Sequence, residues 1–578
     1  MLIVSDSDHL SGDEMSEAYL TVEEAALRLG VSPATVKRNI SSGKIAASKV
    51  GRSWIIKADE LPPPKRREQQ RRTSGAASAL VDFTKSLGHL RKQDLGRDLW
   101  IPDVIRFADA LADTAALTDA AAERIDETVA LGPSVAVPVP KSPIFLRNAV
   151  ILDLPDRLAY HAVVLAIAPT LDALIGDEAF SARLLAGPFF LKAKGAYARW
   201  KDAVRNRARE VGGYVVEADV TAYFDCINHS LLMREIRDAG VPTPLANVLG
   251  RMLRRWEVAP NTGLPQGPDA SRLLGNFYMR AIDDVMSRIP GISYYRYMDD
   301  IRIISETRHL AIRALHELDD ECKKRNLVLS TKKTRLRSAA DAIAELEDSA
   351  LDDLQYAFEA DETSAEVRKN LSTLFRKAVK ADGTVDRREA SFSLWRLYQL
   401  REKAVLSRVL DNLETVAGLG WNVAAYLAPW ITTKRVKEGI ANYLEDPERN
   451  TGGFLRSWLL AAVADNPSAA TPRIVNYARS LAFDLGQPSW QRAIAMQVAA
   501  LGRSPSDVTK LKQVIDREYD PDAVRAALVA LRRISKLDRD IIGRANRLPE
   551  MQRTSDYLSL HDDLPSMVFG GVSVPRLR

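Results

Sequence analysis

The chain has 578 residues, too many for one hydrophobic core, so its length predicts several domains. Hydrophobic residues make up 46% and charged residues 27%, a balance that excludes global disorder and a fibrous architecture. The formal net charge of +5 is compatible with polyanion binding but too small to demonstrate it. No apolar run reaches the roughly 18 residues of a membrane span, and the first residues turn acidic instead of forming a secretory signal. We therefore expect a cytoplasmic protein without a membrane partner, in which Cys226 and Cys322 are reduced packing residues.

Residues 19–61 are expected to form the first compact unit, after a flexible N-terminus at 1–18. The stretch 21–24, Thr-Val-Glu-Glu, has the spacing of a capping box and predicts the start of a helix. Ser32-Pro33 predicts a second helix, with an N-cap followed by proline at the first helical position. The stretch 47–56 predicts a hairpin that turns at Gly51-Arg52 beside that helix.

This unit resembles the small winged helix-turn-helix domain of excisionase and MerR-type regulators. The resemblance implies DNA binding through Lys37 and Arg38 on the recognition helix, with Thr35 and Asn39 beside them, and through Lys49 and Arg52 on the wing. Because the helix carries few side chains that read bases, a role in protein contact or oligomerisation stays open. The segment 62–80 is a basic, proline-rich linker that either lies along phosphates or serves as a solvated tether.

Residues 81–345 mix helices with short strands and carry three motifs. In the first, at 214–225, an apolar strand delivers Asp219 at its end. In the second, at 293–304, apolar runs flank Asp299 and Asp300, as in a hairpin with carboxylates at its tip. Adjacent acids between apolar strands repel each other, and a divalent cation would relieve that repulsion. Carboxylate oxygens are the ligands that magnesium prefers.

The third motif, at 263–274, lies between the other two and is a Gly/Pro loop that runs into a helix. In this order the motifs resemble motifs A, B and C of reverse transcriptases: D-x-x-x-x-F, LPQG followed by a serine, and YxDD. The resemblance implies phosphoryl transfer with two Mg²⁺ ions, for which Mn²⁺ can substitute, and deoxynucleoside triphosphates as substrates.

The resemblance also assigns roles to single residues. The catalytic and metal-binding carboxylates are Asp219, Asp299 and Asp300. Phe224 matches the aromatic gate that excludes a ribose 2′-hydroxyl, unless it is a core phenylalanine. The incoming nucleotide is expected to contact Gln266 and Gly267, with Ser271 supporting the helix behind them.

Two further assignments lie outside these motifs. The stretch 326–334 resembles motif D, which makes Lys333 the expected proton donor to the pyrophosphate leaving group. Upstream, 152–158 and 180–184 resemble finger motifs. Arg183 is then expected either to contact the triphosphate or to form a structural ion pair, with Trp200 in the same neighbourhood.

Beyond 345 the pattern changes to apolar residues at helical spacing, separated by short turns. We expect an α-helical, HEAT-like repeat region at 346–545 and a C-terminal tail at 546–578. The fold class is thus α+β and multidomain: right-hand polymerase fingers and palm, a small N-terminal winged helix-turn-helix and an all-α C-terminal region.

The combination of polymerase and helical region resembles the bacterial abortive-infection and other defence-associated reverse transcriptases. It implies anti-phage defence, a homo-oligomer, and DNA or RNA partners that include a non-coding RNA template in some relatives. A retron-like enzyme and a DNA-binding regulator with a degenerate polymerase core are the alternatives. Synthesis in this group is either templated or untemplated, and the tyrosines considered as protein primers are Tyr398, Tyr426, Tyr443, Tyr477 and Tyr519.

Overall fold

The N-terminal unit is a small antiparallel sheet with one described helix. The computed structural model describes residues 19–20, 22, 25, 33–42, 45–50, 53–57, 76–95, 100–142, 144–184, 193–347, 354, 364–380 and 382–569. The unit contains β1 (Tyr19–Leu20), α1 (Pro33–Ser41), β2 (Ser48–Val50) and β3 (Ser53–Lys57), with the strands in the order β1-β3-β2. The predicted second helix and the hairpin are confirmed. The capping box apart from Val22, the turn at 51–52 and the basic run at 65–72 lie outside the described residues.

The next elements are short helices and a β-hairpin, followed by one long buried helix. They are α2 (Phe83–His89), a π-helical turn (Leu90–Asp94), α3 (Ala108–Ala112), α4 (Thr114–Ile125), β4 (Val135–Pro140), β5 (Leu146–Ile151) and α5 (Leu154–Asp172). The strands β4 and β5 form an antiparallel hairpin. Asp153 caps α5 by accepting a hydrogen bond from the backbone N–H of Asp156, and most of the side chains of α5 are buried.

A four-stranded antiparallel sheet, in the order β7-β8-β6-β9, carries the predicted acidic motifs. Its strands are β6 (Tyr214–Asp219), β7 (Ile292–Tyr297), β8 (Asp300–Ser305) and β9 (Arg335–Ser338). The helices of this region are α6 (Ala193–Val211), α7 (Tyr223–Cys226), α8 (His229–Asp238), α9 (Thr243–Arg255), α10 (Asp269–Tyr278), α11 (Arg280–Met286), α12 (Arg308–Lys324) and α13 (Ala339–Leu346). Apolar side chains of the sheet and helices share one core, which includes Val216, Ile301 and Phe277.

The remainder of the described chain is helical. Its helices are α14 (Ala365–Ala378), α15 (Arg387–Gln399), α16 (Leu406–Asp411), α17 (Gly420–Leu427), α18 (Lys434–Glu445), α19 (Gly453–Asp465), α20 (Pro472–Ala482), α21 (Ser489–Leu501), α22 (Pro505–Arg517), α23 (Pro521–Arg533), α24 (Arg539–Ala545) and α25 (Met551–Leu560). Most of these helices pack against the next helix or the next but one.

The stretch expected to be a C-terminal tail is folded as far as residue 569. It contains α25, and Met551, Leu558, Met567 and Val568 are buried in the core of the helical region. Three donors fix the last turn, since Ser566 Oγ and the backbone N–H groups of Met567 and Val568 all donate to the carboxylate of Asp465. Among the described residues, no helix combines the length and apolar character that crossing a bilayer requires.

Candidate active site

Two neighbouring antiparallel strands bring the predicted carboxylates together. In the register of β6 and β8, Asp219 at the end of one strand lies opposite Asp300 at the start of the other. Tyr297 pairs with Asp300 across the β7–β8 hairpin, so Met298 and Asp299 form its two-residue turn. Met298 adopts a φ of 60°, as the first position of such a turn requires. The sheet therefore gathers three acids from two separate motifs at one end of its two central strands, β6 and β8. This end, with Asp219, Asp299 and Asp300, is called the acidic edge below.

The three carboxylates at this edge carry more negative charge than Lys333 and Arg302, the cations paired with them, compensate. Burial, followed by repulsion from Asp219 and Asp300, raises the pKa of Asp299 to about 7. Burial also raises the pKa of Asp300, although Arg302 opposes the shift. A cation bound between these groups would remove the repulsion, which is the condition under which adjacent buried carboxylates are tolerated.

Lys333 supplies one positive charge to the acidic edge. The backbone of the segment that carries it is hydrogen-bonded to the end of β6, because the N–H of Ser330 donates to the carbonyl of Asp219 at 2.7 Å and the N–H of Thr221 donates to that of Val328 at 2.8 Å. Lys333 Nζ then lies 2.9 Å from Asp219 Oδ1. Burial opposes protonation of Lys333, but the hydrogen bond to Asp219 and the charges of Asp219, Asp299 and Asp300 together outweigh it and raise the pKa of this ammonium group.

The three carboxylates have the chemistry of ligands for a divalent cation, but they are not arranged around a common metal position. Within the described chain, no three His, Cys, Asp or Glu side chains stand in a geometry that could hold a metal ion. The ammonium of Lys333 is paired with the carboxylate of Asp219, which would be a metal ligand. Asp219, Asp299 and Asp300 nevertheless provide hard oxygen ligands and an excess of negative charge, and both properties suit Mg²⁺ or Mn²⁺.

The predicted nucleotide-binding loop is held by contacts that fix both its backbone and one side chain. Gln266 Nε2 donates to Asp225 Oδ1 at 2.8 Å, which joins the loop to the end of the first motif. The carbonyl of Gln266 accepts the indole N–H of Trp100 at 3.0 Å and the backbone N–H of Val150 at 3.1 Å. Gly267 has a φ of +138°, and a Cβ there would lie 2.6 Å from Trp100 Nε1, so only glycine fits.

Phe224 and Ser271 are both joined to this loop by backbone hydrogen bonds, at Leu264 and at Pro268. Phe224 is half-buried, and its ring packs at 5.3 Å from that of Tyr223. The backbone N–H of Leu264 donates to the carbonyl of Phe224, which joins the candidate gate to the loop. Ser271 is buried in the first turn of α10, and its hydroxyl lies 3.0 Å from that of Tyr160 on α5. A supporting role of Ser271 behind the loop stays a prediction.

Arg183 and Trp200 are both engaged with protein groups. Arg183 donates from Nε to Asp172 Oδ1 at 2.9 Å, and its two terminal nitrogens donate to the carbonyls of Gly176 and Asp172. These contacts match the structural alternative considered for Arg183, and a contact with a triphosphate stays a prediction. Trp200 is buried on α6, and the guanidinium of Arg302, next to the acidic turn, lies 5.1 Å above its ring.

Sequence reasoning missed Arg296, which fixes the acidic hairpin from behind. This fully buried residue of β7 donates from Nε to Asp283 Oδ1 at 2.7 Å and from Nη2 to Asp283 Oδ2 at 2.6 Å. Nη2 also donates to the carbonyl of Asn276 at 2.9 Å. The signal available in the sequence was a charged residue at a position of β7 that alternation would turn inward.

In the winged unit, the described candidate residues are exposed. Lys37, Arg38 and Lys49 all face solvent, and Lys49 Nζ lies 5.8 Å from the ring centre of Trp54. Arg38 forms an exposed ion pair at 3.7 Å with Asp556 of α25. Arg52 and the side chain of Thr35 lie outside the described residues. Binding of DNA by this surface stays a prediction.

Comparisons with known proteins match two parts of the chain. Residues 161–369 match the family described as reverse transcriptase (RNA-dependent DNA polymerase), and residues 19–61 match the helix-turn-helix domain family. Protein YkfC of Escherichia coli (strain K12) is 22% identical over 229 residues, which cover 33% of this chain and 58% of that protein. A solved structure of telomerase from Candida albicans, in complex with a fragment of telomeric RNA, is 9% identical with a TM-score of 0.27 and covers 57% of this chain and 66% of that one. The chain thus spans less than two thirds of each of these relatives.

Proposed function

Because residues 161–369 are a reverse transcriptase domain, we propose that the protein is an RNA-directed DNA polymerase. It adds deoxynucleotides to a 3′-hydroxyl and releases pyrophosphate. The observation that carries the proposal is the pairing of Asp219 with Asp300 across two strands, with Asp299 in the adjoining turn, inside that domain.

The three carboxylates would hold two Mg²⁺ ions, or Mn²⁺ in their place. When bound, such ions lower the pKa of the attacking hydroxyl and neutralise the charge of the leaving pyrophosphate. Asp219 and Asp299 are the main ligands in this proposal, because the β6–β8 register and the turn bring them to the same edge, and Asp300 assists them. Lys333, whose ammonium lies 2.9 Å from Asp219 Oδ1, would donate a proton to the pyrophosphate leaving group.

Selection of the substrate rests on the loop and on Phe224. Gln266 and Gly267 contact the incoming nucleotide from a loop whose backbone is already fixed, so little ordering is needed on binding. The ring of Phe224 blocks a ribose 2′-hydroxyl. Ser271 acts through the start of α10, and Arg183 contributes to the fingers through its ion pair with Asp172.

The chemistry is tested with the purified full-length chain, labelled nucleotides and Mg²⁺ or Mn²⁺. We expect incorporation of dNTPs by the wild type and none by Asp299→Ala/Asp300→Ala. Asp320→Ala on α12 is the matched control, because it removes an exposed acid of the same domain. Wild-type incorporation by the double variant would overturn the assignment. If no chain incorporates nucleotide while the winged unit retains DNA, the protein is instead a DNA-binding regulator with an inactive polymerase core.

The template and primer are a separate question. Retron-like enzymes and those that copy a dedicated non-coding RNA need an RNA, whereas protein-primed synthesis needs an accessible tyrosine hydroxyl. Among the tyrosines considered, Tyr426 and Tyr443 are buried, while Tyr519 is 80% exposed. Sequencing the nucleic acid that copurifies from cells identifies template and product, and a covalent protein–DNA adduct that disappears in Tyr519→Phe would identify the primer.

We propose further that the protein acts in the bacterial cytoplasm as an anti-phage defence enzyme of the abortive-infection type, assembled as a homo-oligomer. The support is the succession of packed C-terminal helices, which we take to be HEAT-like repeats suited to partner binding or to guiding a single strand. Light scattering reports the subunit number. Plating efficiency of several phages on cells with wild-type or Asp299→Ala/Asp300→Ala protein reports defence, and equal plating would remove this part of the proposal.

A further inference from the structure

Two residues outside the sequence motifs, Asp94 and Trp100, contact the loop at 264–268 and the residue that follows it. At one end, the indole N–H of Trp100 donates to the carbonyl of Gln266 at 3.0 Å. At the other end, the backbone N–H of Asp269 donates to Asp94 Oδ1 at 3.0 Å. The two contacts lie on either side of Gly267 and Pro268, so Trp100 and Asp94 fix the chain before and after these two residues.

Asp94 is a buried carboxylate that accepts hydrogen bonds. Its side chain is fully buried, and its second oxygen accepts a hydrogen bond from Arg157 Nε on α5 and lies 3.1 Å from His161 Nε2 on the same helix. Burial would raise the pKa of Asp94, but the charges of Arg157 and His161 outweigh burial and hold that pKa well below its usual range. Asp94 therefore remains an anion, and its hydrogen bond with the Asp269 N–H is charge-assisted.

The side chain of Asp269 also has a buried partner, His89. His89, the last residue of α2, places Nε2 3.0 Å from Asp269 Oδ2. The start of α10 is thus fixed through both the backbone and the side chain of its first residue. A carboxylate in the first turn also interacts favourably with the helix dipole.

We propose that Asp94 is a positioning residue, with Trp100 as its partner at the other end of the loop, and that together they set where Gln266 and Gly267 meet the incoming deoxynucleoside triphosphate. The inference rests on the proposed function of the loop. Asp94 acts on the nucleotide only through the loop, since its own carboxylate is enclosed by α5 and the start of α10.

The first test separates positioning from general stability. Asp94→Ala removes the acceptor and is expected to raise the KM for dNTPs by about 10-fold or more, with kcat reduced by less than about 3-fold, because the loop loses its fixed position while the carboxylates of the acidic edge stay in place. Asp94→Asn keeps an oxygen acceptor and is expected to restore part of the affinity. Trp100→Phe removes one donor but keeps the ring, and its expected rise in KM is roughly 3- to 10-fold.

Asp109 provides a matched control. Its carboxylate is also buried on the N-terminal side of the polymerase, where Arg525 and Thr554 donate to it, and it contacts the helical region instead of the loop. Asp109→Ala is expected to lower thermal stability as Asp94→Ala does, with the KM for dNTPs unchanged. An equal rise in KM in both variants would mean that Asp94 acts only through stability and would overturn the proposal.

A second measurement does not depend on catalysis. Hydrogen–deuterium exchange of the peptide covering 264–272 should be faster in Asp94→Ala and Trp100→Phe than in the wild type, and unchanged in Asp109→Ala. If wild-type protein incorporates no nucleotide, the proposed function fails and this exchange experiment still decides whether Asp94 holds the loop. If Asp94→Ala does not fold, Asp94→Asn and Trp100→Phe decide the outcome, and wild-type KM and exchange in both would refute the inference.

Discussion

Replacing Arg296 by methionine should destabilise the sheet strongly, because it leaves a buried carboxylate without its cation. Both Arg296 and Asp283 are buried, with side chains 0% and 1% exposed, and they form a bidentate pair. Asp283 also accepts a hydrogen bond from the hydroxyl of Tyr294 at 3.0 Å, which would remain after the substitution. Removing one member of such a pair generally costs about 3–5 kcal/mol. We expect Arg296→Met to lose a free energy of unfolding in that range.

The double variant Arg296→Met/Asp283→Leu isolates the origin of the loss. Because it contains no unpaired buried charge, it should be more stable than Arg296→Met alone by at least about 2 kcal/mol. Arg280→Met is the surface control, since its partner Asp284 is 48% exposed and such pairs contribute at most about 1 kcal/mol. Urea unfolding followed by near-ultraviolet circular dichroism measures all three variants. A loss below about 1 kcal/mol in Arg296→Met would refute the reasoning.

Three further predictions concern the active site and the N-terminal unit. Phe224→Val should lower the preference for dNTPs over rNTPs by about 10-fold or more, as measured by competing incorporation, and an unchanged ratio would identify a core residue. Because the pKa of Asp299 is raised from 3.8 to about 7, its ionised form destabilises the metal-free fold, with no penalty below the lower value and the full penalty above the higher one. Asp299→Asn in EDTA should therefore raise the unfolding temperature at pH 8, and the gain should shrink toward pH 5; equal gains at both pH values would contradict the assigned electrostatics. Deleting 1–75 should weaken retention on nucleic acid and flatten its salt dependence while metal-dependent polymerisation remains, whereas equal salt slopes would favour a protein-contact role.

Local sequence patterns predicted the parts of the site that local structure creates. The apolar run before Asp219 predicted a strand that ends in a carboxylate, and β6 ends at that residue. The apolar runs around Asp299 and Asp300 predicted a hairpin, and the β7–β8 turn lies there. Each of these features depends on residues within about ten positions, where alternation and turn chemistry suffice.

The contacts that hold the site in place were not predictable from such patterns. The bond between Trp100 and Gln266 joins residues 166 positions apart, and that between Asp94 and Asp269 joins residues 175 positions apart. Neither pair leaves a periodic signal, because a single tryptophan or aspartate fits many environments. For Arg183 the sequence left a triphosphate contact and a structural ion pair open, because the identity of an ion-pair partner depends on how the chain folds; in the structure the partner is Asp172.

The boundary drawn at residue 345 separates two sequence patterns but not two packing units. Val104, Ile105, Val137 and Val139, from the polymerase side of the boundary, share one buried cluster with the C-terminal helices.

Polar contacts cross the same boundary. Arg525 of α23 donates to both Asp103 and Asp109, and Arg387 of α15 donates to the carbonyl of Pro140 at 2.7 Å. Trp100 makes contacts on both sides of the boundary. Its indole N–H donates to the carbonyl of Gln266, and its own carbonyl accepts the indole N–H of Trp458 on α19 at 3.2 Å. One residue thus contacts both the loop and a C-terminal helix. The helical region thus packs against residues that contact the loop, and the two sequence patterns share one core.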